Sequence, residues 1–352
     1  MYKLLYRLRC IFYCNKNFNR YTPPLIMLMN VIWLIIGLVL ILAGANALTD
    51  GASAIARRMG ISDLIVGLTV VAFGTSAPEL VISVMGAVDG HAPLAIGNVV
   101  GSNIFNILVI IGVTALVRPI VIERSVMTME IPMVILSSVV LLLLGNSAII
   151  NGDPTGINRV SRLSGLFLLI FFILFMRYTF ASAKHNDNAT DSDNTSTTAK
   201  TMPVWRSIIY IVAGLAALIW GGDRFVDGAS GIASGLGVSD AIIGLTIVAA
   251  GTSLPELATS IVAAMKGKPG LAVGNVIGSN IFNVLMVLGL SASITPLPFG
   301  TIGNFDLLYL LGASVAFLLF GWFFKSRTIT RAEGALLTAA YIAYILILIY
   351  RL

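Results

Sequence analysis

Gly67-Leu-Thr-Val-Val-Ala-Phe-Gly-Thr-Ser-Ala-Pro-Glu79 and Gly244-Leu-Thr-Ile-Val-Ala-Ala-Gly-Thr-Ser-Leu-Pro-Glu256 are nearly the same stretch, and their reading decides the fold. Each is an apolar run interrupted by Gly-Thr-Ser, a proline and one glutamate. The offset of 177 residues holds without a gap from 48–113 onto 225–290, with 37 identities in 66 positions. Chance does not give that, so the chain is an internal duplication. The duplicated part also carries charge inside apolar runs, which makes it the place to look for function.

Working outward, the 352 residues are 57% hydrophobic and only 11% charged, with a mean hydropathy of +0.95. A soluble domain carries about 25% charged residues, so the composition describes a polytopic membrane protein. The net charge of +6 is scattered, with no basic patch interleaved with aromatics, which excludes a nucleic-acid partner. Cys10 and Cys14 are the only cysteines, too few for a disulfide framework or a Cys/His metal cluster. His91 and His185 fall in predicted loops and read as solvated surface. There is no nucleophile–base constellation, phosphate-binding glycine loop or zinc spacing, so the chain does not read as an enzyme. Nothing in it requires a cofactor or an obligate protein partner.

Ten apolar segments follow, each near the ~20 residues of a spanning helix. Their approximate cores are 28–47, 62–88, 92–117, 127–145, 161–180, 204–222, 239–265, 270–295, 305–324 and 332–350. The polar stretch 184–203 breaks the pattern and reads as a linker. It separates a first five-helix repeat, 27–183, from a second, 204–352. Five is odd, so the second repeat enters the membrane from the opposite side, and the expected fold is all-α with two inverted repeats. Lys and Arg concentrate in the linker and in the loops that share its side. The linker is therefore expected in the cytoplasm, with both termini outside, in a bacterial inner (plasma) membrane. Residues 1–26 oppose that bias with Lys3, Arg7, Arg9, Lys16 and Arg20. They read as a basic extension preceding a true start at Met27 or Met29.

The chemistry lies on two pairs of segments. Ala72, Thr75, Ser76, Glu79 and Ser83 are spaced by three and four, on one face of the second segment. Ala249, Thr252, Ser253, Glu256 and Ser260 form the same stripe on the seventh. A carboxylate at the bilayer centre costs roughly 2.5–3.5 kcal/mol. No Lys or Arg lies at the centre of any segment to neutralise it, which leaves a bound cation. Pro78 and Pro255 free the carbonyls of Gly74 and Gly251 and loosen those of Thr75 and Thr252. In lipid such carbonyls are tolerated only where they line a cavity or are buried in protein. The third and eighth segments carry Gly97/Gly101 and Gly274/Gly278, small residues that let helices pack closely. Asn98, Ser102 and Asn106 share a face, as do Asn275, Ser279 and Asn283. Asn98, Asn103, Asn275 and Asn280 read as interhelical packing.

These motifs resemble the two repeats of the sodium/calcium exchanger family, in the prokaryotic branch of the calcium/cation antiporters. The resemblance covers 48–113 and 225–290 and implies an ion core built from helices 2, 3, 7 and 8. It implies that Glu79 and Glu256 ligate calcium together with the carbonyls of Thr75 and Thr252. Sodium sites are implied at Ala72, Ser76, Glu79 and Ser102 on one side. Ala249, Ser253, Glu256 and Ser279 would form the other, with Asn106 and Asn283 lining the middle. Some relatives carry an aspartate at the position of Asn283, associated in one branch with potassium; asparagine there argues against potassium dependence. Two bidentate glutamates and two carbonyls supply about six oxygens, the lower end of calcium's range. The expected activity is calcium expulsion driven by sodium. A calcium/proton antiporter is the nearest alternative, and a cation channel is a more distant one.

The first prediction concerns the extension. A chain beginning at Met27 is expected to insert and transport like the full chain; lost activity at unchanged expression would refute this.

Overall fold

The computed structural model describes residues 23–152, 156–185, 202–237, 249–300, 302–324 and 327–351. The described chain is helical apart from two short strand pairs. Eight described helices are long and apolar enough to cross a membrane, or nine if one bent pair is a single span. They are α1 (Pro23–Met59), the bent pair α2 (Asp63–Thr75) and α3 (Ala77–Val88), α4 (Pro93–Val117) and α5 (Val126–Leu144). After these come α6 (Arg162–His185), α7 (Val204–Gly235), the shorter α8 (Leu254–Met265), α9 (Pro269–Ile294), α10 (Asn304–Phe323) and α11 (Arg331–Arg351). The seventh predicted segment, 239–265, lies partly outside the described residues, as do the linker residues 186–201 and residues 1–22 of the extension.

Two outcomes differ from the hydropathy reading. α1 and α7 extend beyond 28–47 and 204–222, because hydropathy marks the hydrocarbon core whereas the helices continue past it through polar residues such as Asp50 and Asp227. α1 also begins at Pro23, inside the stretch read as extension.

α1 and α7 pack on each other along a glycine seam. A Cβ built on Gly44 would lie 2.7 Å from the Gly214 carbonyl oxygen, and one on Gly214 would lie 2.7 Å from the Leu48 nitrogen. Gly37 faces Gly221, and Gly228 faces Asn30 and Leu34, so the two helices run antiparallel. Gly37, Gly44 and Gly51 correspond through the 177-residue offset to Gly214, Gly221 and Gly228. The duplication therefore extends back through the first helix of each half.

α4 and α9 are the centre of the molecule. Their apolar windows are 83% and 94% buried, against 44% for α5 and 22% for α6 and α11. The exposed apolar residues of the outer helices, such as Val39, Leu166 and Phe171, suit a lipid environment. Each central helix contains a π-helical turn at the same repeat position, Asn106–Ile110 and Asn283–Val287. Such bulges accumulate at functional sites, because they turn side chains off the regular helical face.

The strands tie the halves together. β1 (Ile120–Val121) pairs with β4 (Thr328–Ile329), and β2 (Arg159–Val160) pairs with β3 (Leu297–Pro298), both antiparallel. Every pair joins one half to the other. The loop after α4 meets the loop before α11, and the loop after α9 meets the loop before α6.

The seam yields the second prediction. Gly44→Leu forces side-chain atoms into the α7 backbone and is expected to cost about 1–3 kcal/mol, seen as a lower thermal unfolding midpoint in detergent. Gly312→Ala, at a position with nothing within 4 Å of its Cβ, serves as the comparison and should leave the midpoint in place.

Candidate functional site

The two Gly-Thr-Ser-X-Pro-Glu stretches break their helices at the same place. Ser76 has φ −83° and ψ 8°, and Ser253 has φ −92° and ψ 7°. Helical ψ is near −42°, so one residue in each stretch leaves the helix. α2 and α3 meet at 47° across the break. Proline sits in the first turn of the new helix, where its missing N–H costs nothing, and glutamate follows one residue later. The carboxylates therefore sit at helix N-termini, which favour negative charge. The carbonyl ends of Ala72–Thr75 and Ala249–Gly251 point the opposite dipole toward the break.

Both glutamates are buried, each 1% exposed. Ser253 Oγ donates to Glu79 Oε1 at 3.2 Å, and Ser76 Oγ donates to Glu256 Oε1 at 3.0 Å. Ser102 Oγ also reaches Glu79 Oε1, at 3.5 Å. Ser76 and Ser253 thus each meet the glutamate of the other repeat, because the broken stretches of the two halves meet at the site, whereas Ser102 meets the glutamate of its own.

Most of the other sequence-selected residues are withdrawn from the surface. Ala72, Thr75, Asn106, Ser279 and Asn283 are buried, and Thr252 is half-buried beside Ser253. The side chain of Ala249 lies outside the described residues. Asn283 Nδ2 donates to Asn103 Oδ1 at 3.1 Å, and Asn103 Nδ2 to the Asn280 carbonyl at 3.2 Å. Asn103 thus bridges the two central helices, as the packing reading expects.

Asn98 and Asn275 do more than pack helices. Asn98 Nδ2 donates to the Glu79 carbonyl (3.2 Å) and to Ser83 Oγ (3.0 Å). Asn275 Nδ2 donates to the Glu256 carbonyl (3.3 Å) and to Ser260 Oγ (3.1 Å). Asn275 Oδ1 also accepts from Thr75 Oγ1 at 3.1 Å. Each asparagine therefore holds the turn that carries a carboxylate. The sequence signal was their place on the Ser102 and Ser279 faces; only the crossing of the helices shows that they address the glutamate backbone.

Glu79 Oε2, Glu256 Oε2, Asn106 Oδ1, Asn283 Oδ1 and Ser279 Oγ are buried without a hydrogen-bond partner among the described residues. Native proteins rarely leave such atoms unmatched. Four of the five can only accept, so a proton donor or a cation is what they lack. Among the described residues, no cluster of three His, Cys, Asp or Glu could hold a metal. The arrangement is two carboxylates among neutral oxygens, suited to ions that must leave again. Glu130 is a further buried carboxylate with an orphaned Oε2, in the π-helical turn Val126–Glu130. Its position near the polar end of its segment kept it from standing out in the sequence. Asp306 and Glu333 are also buried, but each accepts from the backbone N–H at its own helix start.

With this geometry in place, comparison with known proteins is direct. The sodium/calcium exchanger protein family model matches the chain twice, over 29–181 and 206–350, and the chain belongs to that family. It is an integral membrane cation antiporter by family, not an enzyme. The putative antiporter CaxA of Alkalimonas amylolytica is 40% identical over 323 residues, covering 90% of this chain and 98% of CaxA. The inner membrane protein YrbG of Escherichia coli K12 is 37% identical over 332 residues, covering 92% and 97%. A solved structure of the sodium-calcium exchanger NCX_Mj superposes with a TM-score of 0.75 at 33% identity, covering 92% of this chain and 99% of that one.

The third prediction tests the asparagine bridges. Asn98→Ala and Asn275→Ala each remove two helix-to-helix bonds, worth about 1 kcal/mol together, while leaving both carboxylates in place. Asn275→Ala also removes the interhelical bond from the Thr75 hydroxyl, which keeps only the Val71 and Ala72 carbonyls of its own helix, and should lower the thermal midpoint further than Asn98→Ala. Equal midpoints for the two variants would contradict this account.

Proposed function

We propose that this protein exchanges calcium for sodium by alternating access at the Glu79–Glu256 centre. The observation that carries the reading is the exchanged pairing of Ser76 with Glu256 and Ser253 with Glu79, beside carboxylate oxygens that lack a hydrogen-bond donor among the described residues. Two carboxylates balance one calcium ion. When calcium leaves, the same charge must be met by sodium, so the two cargoes exclude each other. Unbalanced charge in a low-dielectric site is expensive, which couples the release of one cargo to the arrival of the other.

In this reading Glu79, Glu256 and the carbonyls of Thr75 and Thr252 hold calcium. Sodium occupies flanking sites drawn from Ala72, Ser76, Ser102, Ala249, Ser253 and Ser279, with Asn106 and Asn283 lining the centre. The exchanged serines divide the flanking sites so that each combines one repeat's serine with the other's glutamate. Asn283 adds no charge, so transport proceeds without potassium.

The protein works as ten helices in two inverted repeats. The antiparallel α1–α7 seam supports that reading, since the two helices are repeat equivalents. The reciprocal strand pairs support it too. The basic loops place the linker in the cytoplasm and both termini outside, in an inner membrane as the name of YrbG suggests for that relative.

The fourth prediction is a flux experiment on purified protein in vesicles. Calcium uptake into sodium-loaded vesicles should stop when the sodium gradient is collapsed. Uptake that follows an imposed pH gradient would assign protons as the coupling ion, and uptake indifferent to both gradients would make the protein a channel. Glu79→Gln and Glu256→Gln should each lose about 3 kcal/mol of calcium binding, on the order of a hundredfold or more, and remain folded. Wild-type calcium affinity in either variant would remove the basis for the site.

A further inference from the structure

The repeats are alike at the site but unlike at their outer ends, and the difference is one of charge. At the end of α8, Lys266 Nζ donates to Asp50 Oδ1 at 2.8 Å and to the Asn46 carbonyl at 3.2 Å, both on α1. Beside it, Arg118 Nη1 from the loop after α4 donates to the Ala264 and Met265 carbonyls at 3.1 and 3.2 Å. Both contacts join the first repeat to the second. Together they tie the ends of α1, α4 and α8 to one another, on the face toward which α8 runs from Glu256.

The repeat-equivalent positions carry different charges. Through the 177-residue offset, Lys266 corresponds to Asp89, Asp50 to Asp227 and Arg118 to Thr295. Two carboxylates stand where the ion pair would be, and a threonine stands where the arginine would be. Asp227 is paired with Arg224 on its own helix, at 3.6 Å. An inverted repeat with identical ends would open equally to both sides; here the contacts at equivalent ends differ.

We infer that Lys266 and Arg118 form a one-sided clamp that biases the protein against opening at the Lys266 face, which the orientation above makes the cytoplasmic one. The clamp rests on the alternating-access reading, but its effect is on which face opens, and that can be measured without transport. A contact present only in the closed form shifts the equilibrium by its own free energy. The Lys266 and Asp50 side chains are 28% and 44% exposed. An ion pair so exposed supports a shift of about two- to fivefold.

The test uses two matched reporters. Ser260 lies one turn beyond Glu256 toward Lys266, and Ser83 is its repeat equivalent toward the other face. Both are buried. Ser260→Cys and Ser83→Cys, made separately in the full chain with Cys10→Ala and Cys14→Ala, are labelled with a membrane-impermeant maleimide. Lys266→Gln and Asp50→Asn should each speed labelling at Ser260→Cys about two- to fivefold and leave Ser83→Cys no faster. The reversed pair, Asp50→Lys with Lys266→Asp, should restore the slow rate. An unchanged rate at Ser260→Cys overturns the clamp. So does equal acceleration at both reporters, which marks general loosening, or a reversed pair as fast as the single variants. If a neutral variant fails to fold, 1 M choline chloride on the otherwise unaltered reporters replaces it. Screening should then speed Ser260→Cys alone, and no such selectivity overturns the inference. A protein that moves no calcium in vesicles would defeat the exchange reading, while the labelling rates would still decide the clamp.

Discussion

Two carboxylates buried in a membrane protein, each 1% exposed, have no buried basic side chain to answer them among the described residues. The hydroxyls of Ser76, Ser253 and Ser102 reach one oxygen of each carboxylate, and the second oxygen of each is left over. A hydroxyl can share its hydrogen but cannot cancel a charge. In the exchange proposed above the cargo completes that pair, and much of the architecture holds it in place. The breaks at Ser76 and Ser253 turn helix N-termini toward the carboxylates. Asn98 and Asn275 fix the turns that bear them, and α4 and α9 exclude lipid around them.

The same constraint explains why a duplicated chain is useful here. A single broken helix would offer one carboxylate and its own serine, both pointing along one face. Crossing two such helices brings each serine to the partner's glutamate. The resulting centre depends on both halves, so a movement of one half against the other alters all of its contacts together. The strand pairs and the α1–α7 seam are also contacts between halves. Against this near-symmetry, the replacement of Asp89 by Lys266 and of Thr295 by Arg118 is a small chemical change with a directional consequence.

Much of this was legible in the sequence. The 177-residue repeat, the two proline breaks, the paired glutamates and the apolar segments are local patterns. Local patterns report helix, face and break, because side-chain spacing maps directly onto a helix surface. The crossing of each serine to the other repeat's glutamate was hidden for a physical reason: spacing along one helix shows which residues share a face, not which neighbour that face meets. The roles of Asn98 and Asn275 were hidden for the same reason. Their amides were visible, but their targets are backbone carbonyls on another helix, and a carbonyl has no letter in a sequence.

The sequence by itself determined that the chain is a duplicated, membrane-spanning protein, with a carboxylate and a helix break in each half and glycines at fixed intervals. Those features follow from composition and period, which act residue by residue. Only the tertiary structure decided that the glycines of α1 and α7 mesh with each other and that the serines cross to opposite glutamates. It alone brought Lys266 to Asp50 across 216 residues of chain. Each of these is a distance between helices, and interhelical distance is set by packing the whole bundle at once, which no single segment encodes.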